Sequence, residues 1–118
     1  MGKVFVHAEY QVSIPFNQID WLAINAEIKK FLGLRFKTWL SGVNTNTFGG
    51  FYEFDSVDNA QNYIDGLLIQ FTKQVNENLT VKFFDVNVTK EASIGMSSPF
   101  YVADFPLFSL PYIHYAFI

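Results

Sequence analysis

Five residues of this chain have types and spacing that could do chemistry: His7, Glu9, Lys37, Trp39 and Tyr52. His7 lies within VFVHAEYQV (4–12), among β-branched and aromatic neighbours. A histidine there can act as a general base or orient a carbonyl, because modest environmental shifts carry its pKa across neutrality. The plainer alternative is a hydrogen-bonded core or rim histidine. Trp39 and Tyr52 can line an aromatic pocket, with the phenol as donor or acid, or can serve ordinary packing. Lys37 shares strand parity with Trp39 and Arg35, which predicts one common face for the three. From that face Lys37 could hold an anionic group, or it could snorkel to the rim and pair with Glu9 or Glu53. Glu9, Glu53 and Asp85 are acids on expected strands. Two of them in one pocket would suit acid–base work, and Glu9 is counted with the binding residues. A sheet-edge or interface salt bridge is the alternative.

Other chemistries are missing from the sequence. There are two histidines, His7 and His114, and no cysteine, which argues against a zinc or thiolate centre. Gly49-Gly50 does not lead into a helix with a Lys-Ser/Thr ending, so it is not a phosphate loop; a bulge or close backbone contact is the expected reason for the pair. No Ser-His-Asp order and no nucleophile elbow stands out, and no cofactor is called for. Net charge is −3 with a single arginine, which speaks against nucleic-acid binding. MGKVFVHAEYQ is too short in apolar residues for a signal peptide, so the cytoplasm is the expected compartment.

These side chains need elements to position them. VFVHAEYQV reads as a first strand with Val4, Val6, Ala8, Tyr10 and Val12 on one apolar face. Pro15 opens a helix with Trp21, Ile24, Ile28 and Phe31 at helical spacing and Gly33 as its C-cap. RFKTWLSG (35–42) and FGGFYEFD (48–55) form a hairpin. Ser56 caps a second helix, whose stripe runs Ala60, Ile64, Leu67, Phe71 and Val75. LTVKFFDVNVT (79–89) is the fourth strand. The order β-α-β-β-α-β predicts an α+β, ferredoxin-like domain: a four-stranded antiparallel sheet with both helices on one face, within residues 1–95. Helices cannot then cover the other face.

KTWLSG, FGGFYEFDS and VKFFDVN carry a resemblance to the YdhR-type mono-oxygenases of the dimeric α/β-barrel superfamily, alongside the antibiotic-biosynthesis mono-oxygenases. Lys37 and Trp39, then Gly49, Gly50 and Tyr52, then Ala60 and Tyr63, then Phe84 through Asn87 are the matching positions, and His7 fits as well. The resemblance spans roughly residues 4–95. It implies a homodimer whose sheets pack face to face, with a cavity between each sheet and its helices. It also implies oxidation of an apolar or aromatic compound by oxygen without metal or flavin. On that reading His7 is the base and Tyr52 a second catalytic group. Trp39, Lys37 and Glu9 would contact substrate.

The chain departs from the family pattern after residue 95. Residues 96–118 are dense in aromatics and proline, with seven aromatic rings and three prolines from Pro99 onward. Those prolines break helical pairing, which argues against a membrane span. An arm that crosses to a partner subunit, or one that folds back over the cavity and brings His114 or Tyr115 to it, would bury this surface. The competing functional class is a non-catalytic ligand-binding or structural dimer. A pocket holding His7 with Tyr52, Lys37 or Trp39 would favour an enzyme, and a cavity plugged by aromatic side chains the structural protein.

Overall fold

The computed structural model describes residues 2–75 and 78–101. Four strands, β1 (Val4–Gln11), β2 (Leu34–Ser41), β3 (Thr47–Phe54) and β4 (Thr80–Asp85), form one antiparallel sheet in the order β2-β3-β1-β4. Alternation explains why they are strands. In β1, Val4, Val6, Ala8 and Tyr10 are buried on one side, while His7, Glu9 and Gln11 take the other. In β3, Phe48, Gly50, Tyr52 and Phe54 belong to the first side. The helices pack on that side through Ile28, Ala60, Tyr63, Ile64 and Leu68, giving one α+β, ferredoxin-like core.

The first helix differs from the sequence expectation. Pro15 precedes a short 3-10 turn, Phe16–Gln18, and α1 begins only at Trp21. Asp20 explains the later start: its side chain accepts a hydrogen bond from the Ala23 amide at 3.2 Å, as an N-cap does. Trp21, in the first turn, is left exposed. The second helix is α2 (Val57–Tyr63), a π-helical turn Ile64–Leu68, then α3 (Ile69–Val75). Its cap is Ser56, which accepts from the Asn59 amide at 3.1 Å. The widened turn contains Gly66, whose missing Cβ leaves room for the Phe31 ring.

Strand β4 ends at Asp85, short of residue 89. The Asp85 carboxylate accepts the amides of Asn87 (2.7 Å) and Val88 (2.8 Å), which turns the chain before pairing can continue. A further helix, α4 (Lys90–Gly95), follows. The chain then returns over the sheet's outer face in a 3-10 turn, Pro99–Tyr101. Phe100 stacks on Phe36 at 4.8 Å between centroids and contacts Phe51 at 5.2 Å. Tyr101 meets Phe5 edge-on and donates its hydroxyl to the Val86 carbonyl at 2.8 Å. So a small second core, built on Phe5, Phe36 and Val86, occupies part of the face that helices leave open. The remainder of the aromatic arm, including His114 and Tyr115, lies outside the described residues.

Phe100 should therefore matter to stability. Phe100→Ala is expected to cost about 2–3 kcal/mol, below the full-core figure because the ring is only partly buried. Urea unfolding measures this; a loss under about 0.5 kcal/mol would mean the turn contributes no packing.

Candidate functional site

The residues proposed from sequence divide between two faces of the sheet. His7 pairs across with Phe51, and Glu9 with Gly49, on the outer face. Their side chains approach to 3.9 Å, both partly solvated. Tyr52, Lys37 and Trp39 lie on the helix side: Lys37 is opposite Tyr52, and Trp39 opposite Gly50. The sheet thus separates His7 and Glu9 from the other three, because odd positions of β1 register with odd positions of β3.

Arg35 departs from the shared parity expected of it. The register shifts between Leu34 and Phe36, leaving Arg35 as the extra residue of a bulge. Its guanidinium turns to the outer face, 3.3 Å from Glu53 Oε1 and 3.3 Å from the Phe100 carbonyl. The bulge is here, and not at Gly49-Gly50, where pairing is regular. Gly50 has a different use: a Cβ there would come within 2.7 Å of the Tyr52 ring. With Glu53 joined to Arg35 and Glu9 on the far face, neither carboxylate suggested for Lys37 reaches it.

Lys37 instead points into rings. Its Nζ is 3.4 Å from the Trp39 ring centroid and 5.0 Å from that of Tyr52. Burial pushes its pKa down from 10.5 to about 7. Trp39 is held in place by its indole N–H, which donates to Asn25 Oδ1 at 2.8 Å. The Tyr52 and Tyr63 hydroxyls are 2.8 Å apart, and their rings pack at 5.1 Å. Burial raises the pKa of both, and of Tyr10, so all three phenols stay protonated in neutral solution. They can donate or relay hydrogen bonds, but none is a base.

Tyr10, Lys37, Trp39 and Tyr63 share a small, partly open cavity of only about 10 Å³, bounded by Ile24, Leu67, Leu68 and Phe71. A more open groove of about 120 Å³ adjoins it between α1 and β2 and is also lined by Lys37 and Trp39. Tyr10 and Tyr63 are site residues to which the sequence assigned no chemistry, although Tyr63 is among the positions that carry the family resemblance. Their signal was positional: Tyr10 shares the parity of Val6 and Ala8, and Tyr63 precedes Ile64 on the second helix. A larger groove of about 550 Å³ by the β2–β3 turn is lined by uncharged residues such as Ser13, Asn44 and Asn46 and offers no acid or base.

The family model described as "Putative mono-oxygenase ydhR" matches residues 7–94 of this chain. The chain belongs to that family. The fold agrees. A cofactor-independent oxygenase from Streptomyces nogalater, SnoaB, superposes with a TM-score of 0.57 at 13% identity, covering 72% of this chain and 93% of that one. NE2512, a protein of unknown function from Nitrosomonas europaea, superposes with a TM-score of 0.55 at 15% identity, covering 71% and 88%. No curated protein matches. At such identities the two structures establish a shared fold and leave residue roles to this chain's own geometry. In this member of the YdhR family, no helix among the described residues is long and apolar enough to cross a membrane.

Proposed function

We propose that this chain is a small-molecule oxygenase that needs neither metal nor organic cofactor and acts on an apolar or aromatic compound. The observation that carries the reading is the Lys37 amine, buried against Trp39 and Tyr52 at the head of a groove. Without a cofactor, the electrons for oxygen must come from the substrate. A ring-activated methylene can supply them: one oxygen atom becomes a ketone and the other leaves as water, with no outside reductant. Such a substrate reacts through its anion, so the site must remove a proton and hold the negative charge. A neutral Lys37 takes the proton, and the resulting ammonium pairs with the anion. Trp39 and the protonated tyrosines supply an aromatic, water-poor wall. His7 and Glu9 are outside this reading, on the opposite face.

The same reading has two copies of the chain packing through their outer faces, where Leu40 and Phe84 are left exposed. The rival reading, a structural protein with a filled core, is favoured by one observation: the cavity beside Lys37 has space for about one water. Oxygen uptake with a panel of phenols and ring-activated ketones separates the two. Turnover is expected with at least one compound, and Lys37→Met should lower it by about 100-fold or more. No uptake with any compound, together with a native mass free of bound small molecules, would establish the structural protein instead.

A further inference from the structure

Among the described residues, Lys37 is an amine with no carboxylate beside it. Glu53 is joined to Arg35, Glu9 lies on the outer face, and Lys37 makes no hydrogen bond or ion pair among the described residues. Its surroundings are ring faces: Trp39 and Tyr52 at the distances given above, and Tyr10 and Tyr63 around the same small cavity. Among the described residues, no acidic side chain lines the small cavity or the groove that Lys37 shares. The one charged group on the groove beside it is another cation, Lys29. An ammonium so placed sheds its proton readily, because burial penalises the charged form and the ring faces of Trp39 and Tyr52 offset only part of that cost. The neutral amine is the form that attacks a carbonyl carbon.

Access sets the size of the carbonyl compound. Lys37 and Trp39 line the groove of about 120 Å³, floored by Ile28 and Leu34. An engineered apolar cavity of about 150 Å³ accepts benzene, so one ring is the limit here. Trp39, pinned by Asn25, offers a fixed face for a ring to stack on.

We propose that Lys37 is a nucleophilic amine that condenses with the carbonyl group of a one-ring aldehyde or ketone entering from this groove. The Nζ lone pair adds to the carbonyl carbon, and the C=O π pair moves to oxygen, which takes a proton. Loss of water, using the proton left on nitrogen, gives the imine; nothing is oxidised or reduced. The step requires no oxygen, so it stands apart from the oxygenase reading and can hold where that reading fails.

Benzaldehyde with cyanoborohydride, applied to the full chain at neutral pH, traps the imine as a stable benzyl-lysine that peptide mass mapping can locate. Lys37 competes with six other lysines, of which Lys29, Lys30, Lys73, Lys82 and Lys90 are exposed. Labelling of Lys37 is expected to exceed that of each exposed lysine by about tenfold, since about half its amine is neutral at pH 7 against well under 1% of a free lysine in water. Raising the pH from 7 to 9 should only about double labelling at Lys37, whereas a free lysine in water gains on the order of 100-fold. Mapping on the unaltered chain requires no variant to fold, and a Lys37→Arg protein should lose this adduct alone. Uniform labelling, or an unlabelled Lys37 beside labelled surface lysines, overturns the proposal.

Discussion

Replacing Lys37 by methionine should stabilise the protein and remove most of the rise in its stability between pH 7 and 10. The folded chain releases the Lys37 proton near pH 7, whereas the unfolded chain keeps it to about 10.5. Between those values the unfolded state binds more protons, so unfolding becomes harder as pH rises. Below pH 7 the full cost of the buried amine is present. At 1.36 kcal/mol for each tenfold change in proton affinity, that cost has a ceiling of about 5 kcal/mol, and residual exposure reduces it to about 2–4 kcal/mol. Contact with the ring faces of Trp39 and Tyr52 favours the charged form and offsets a further part. Methionine keeps most of the stem's volume and has no charge to desolvate. At pH 6 the variant should be more stable by about 2–4 kcal/mol, and the gap should narrow to about 1 kcal/mol near pH 9.5. Above pH 10 both should weaken. There Tyr10, Tyr52 and Tyr63 hold protons in the folded state that the unfolded chain releases. Urea unfolding from pH 5.5 to 10.5 provides the comparison. Parallel curves would mean that Lys37 is solvated in the folded protein, and would remove the basis for its acting as a base or nucleophile.

That amine's setting was only partly legible in the sequence. The strands were, because VFVHAEYQ leaves a single unbroken apolar face, and the same parity places His7 and Glu9 opposite Val6 and Ala8. What parity could not show was the phase of one strand against the next. In LRFKTWLS a one-residue bulge reverses Arg35 relative to Lys37, and no local residue signals it. The end of β4 was over-read for a related reason: VKFFDVNVT keeps alternating, but a side chain, Asp85, captures the amides needed for further pairing. The Tyr52–Tyr63 hydroxyl pair depends on how the second helix docks, which is a tertiary fact. So is the size of the cavity, since it is set by Leu67, Leu68 and Phe71 filling space from across the core. Residue types named the chemistry available, but only the packing separated Lys37 from the acids expected to pair with it.

Arg35→Met should be the most damaging single change on the outer face, at about 3–5 kcal/mol. Arg35 and Glu53 are both buried, and their ion pair sits beneath the returning turn. The guanidinium also donates to the Phe100 carbonyl and lies 5.9 Å from the Phe36 ring centroid. Methionine would leave the Glu53 carboxylate without the arginine that neutralises it. Such a charge costs more than the original pair contributed, because desolvation remains while the compensating attraction is gone. The cost of Arg35→Met should therefore shrink when Glu53 is replaced as well. Arg35→Met combined with Glu53→Leu is expected to recover at least about 2 kcal/mol over the single variant, although it removes one more native side chain. The Phe100 carbonyl loses its donor in both proteins, so the double variant should still fall short of the parent. Urea unfolding of the four proteins, parent, two singles and double, isolates the coupling. Additive losses would show that Arg35 acts only through packing and through the Phe100 carbonyl. A large favourable coupling would show that the bulge in β2 exists to bring a cation to the outer face, leaving Lys37, two residues on, alone among the rings.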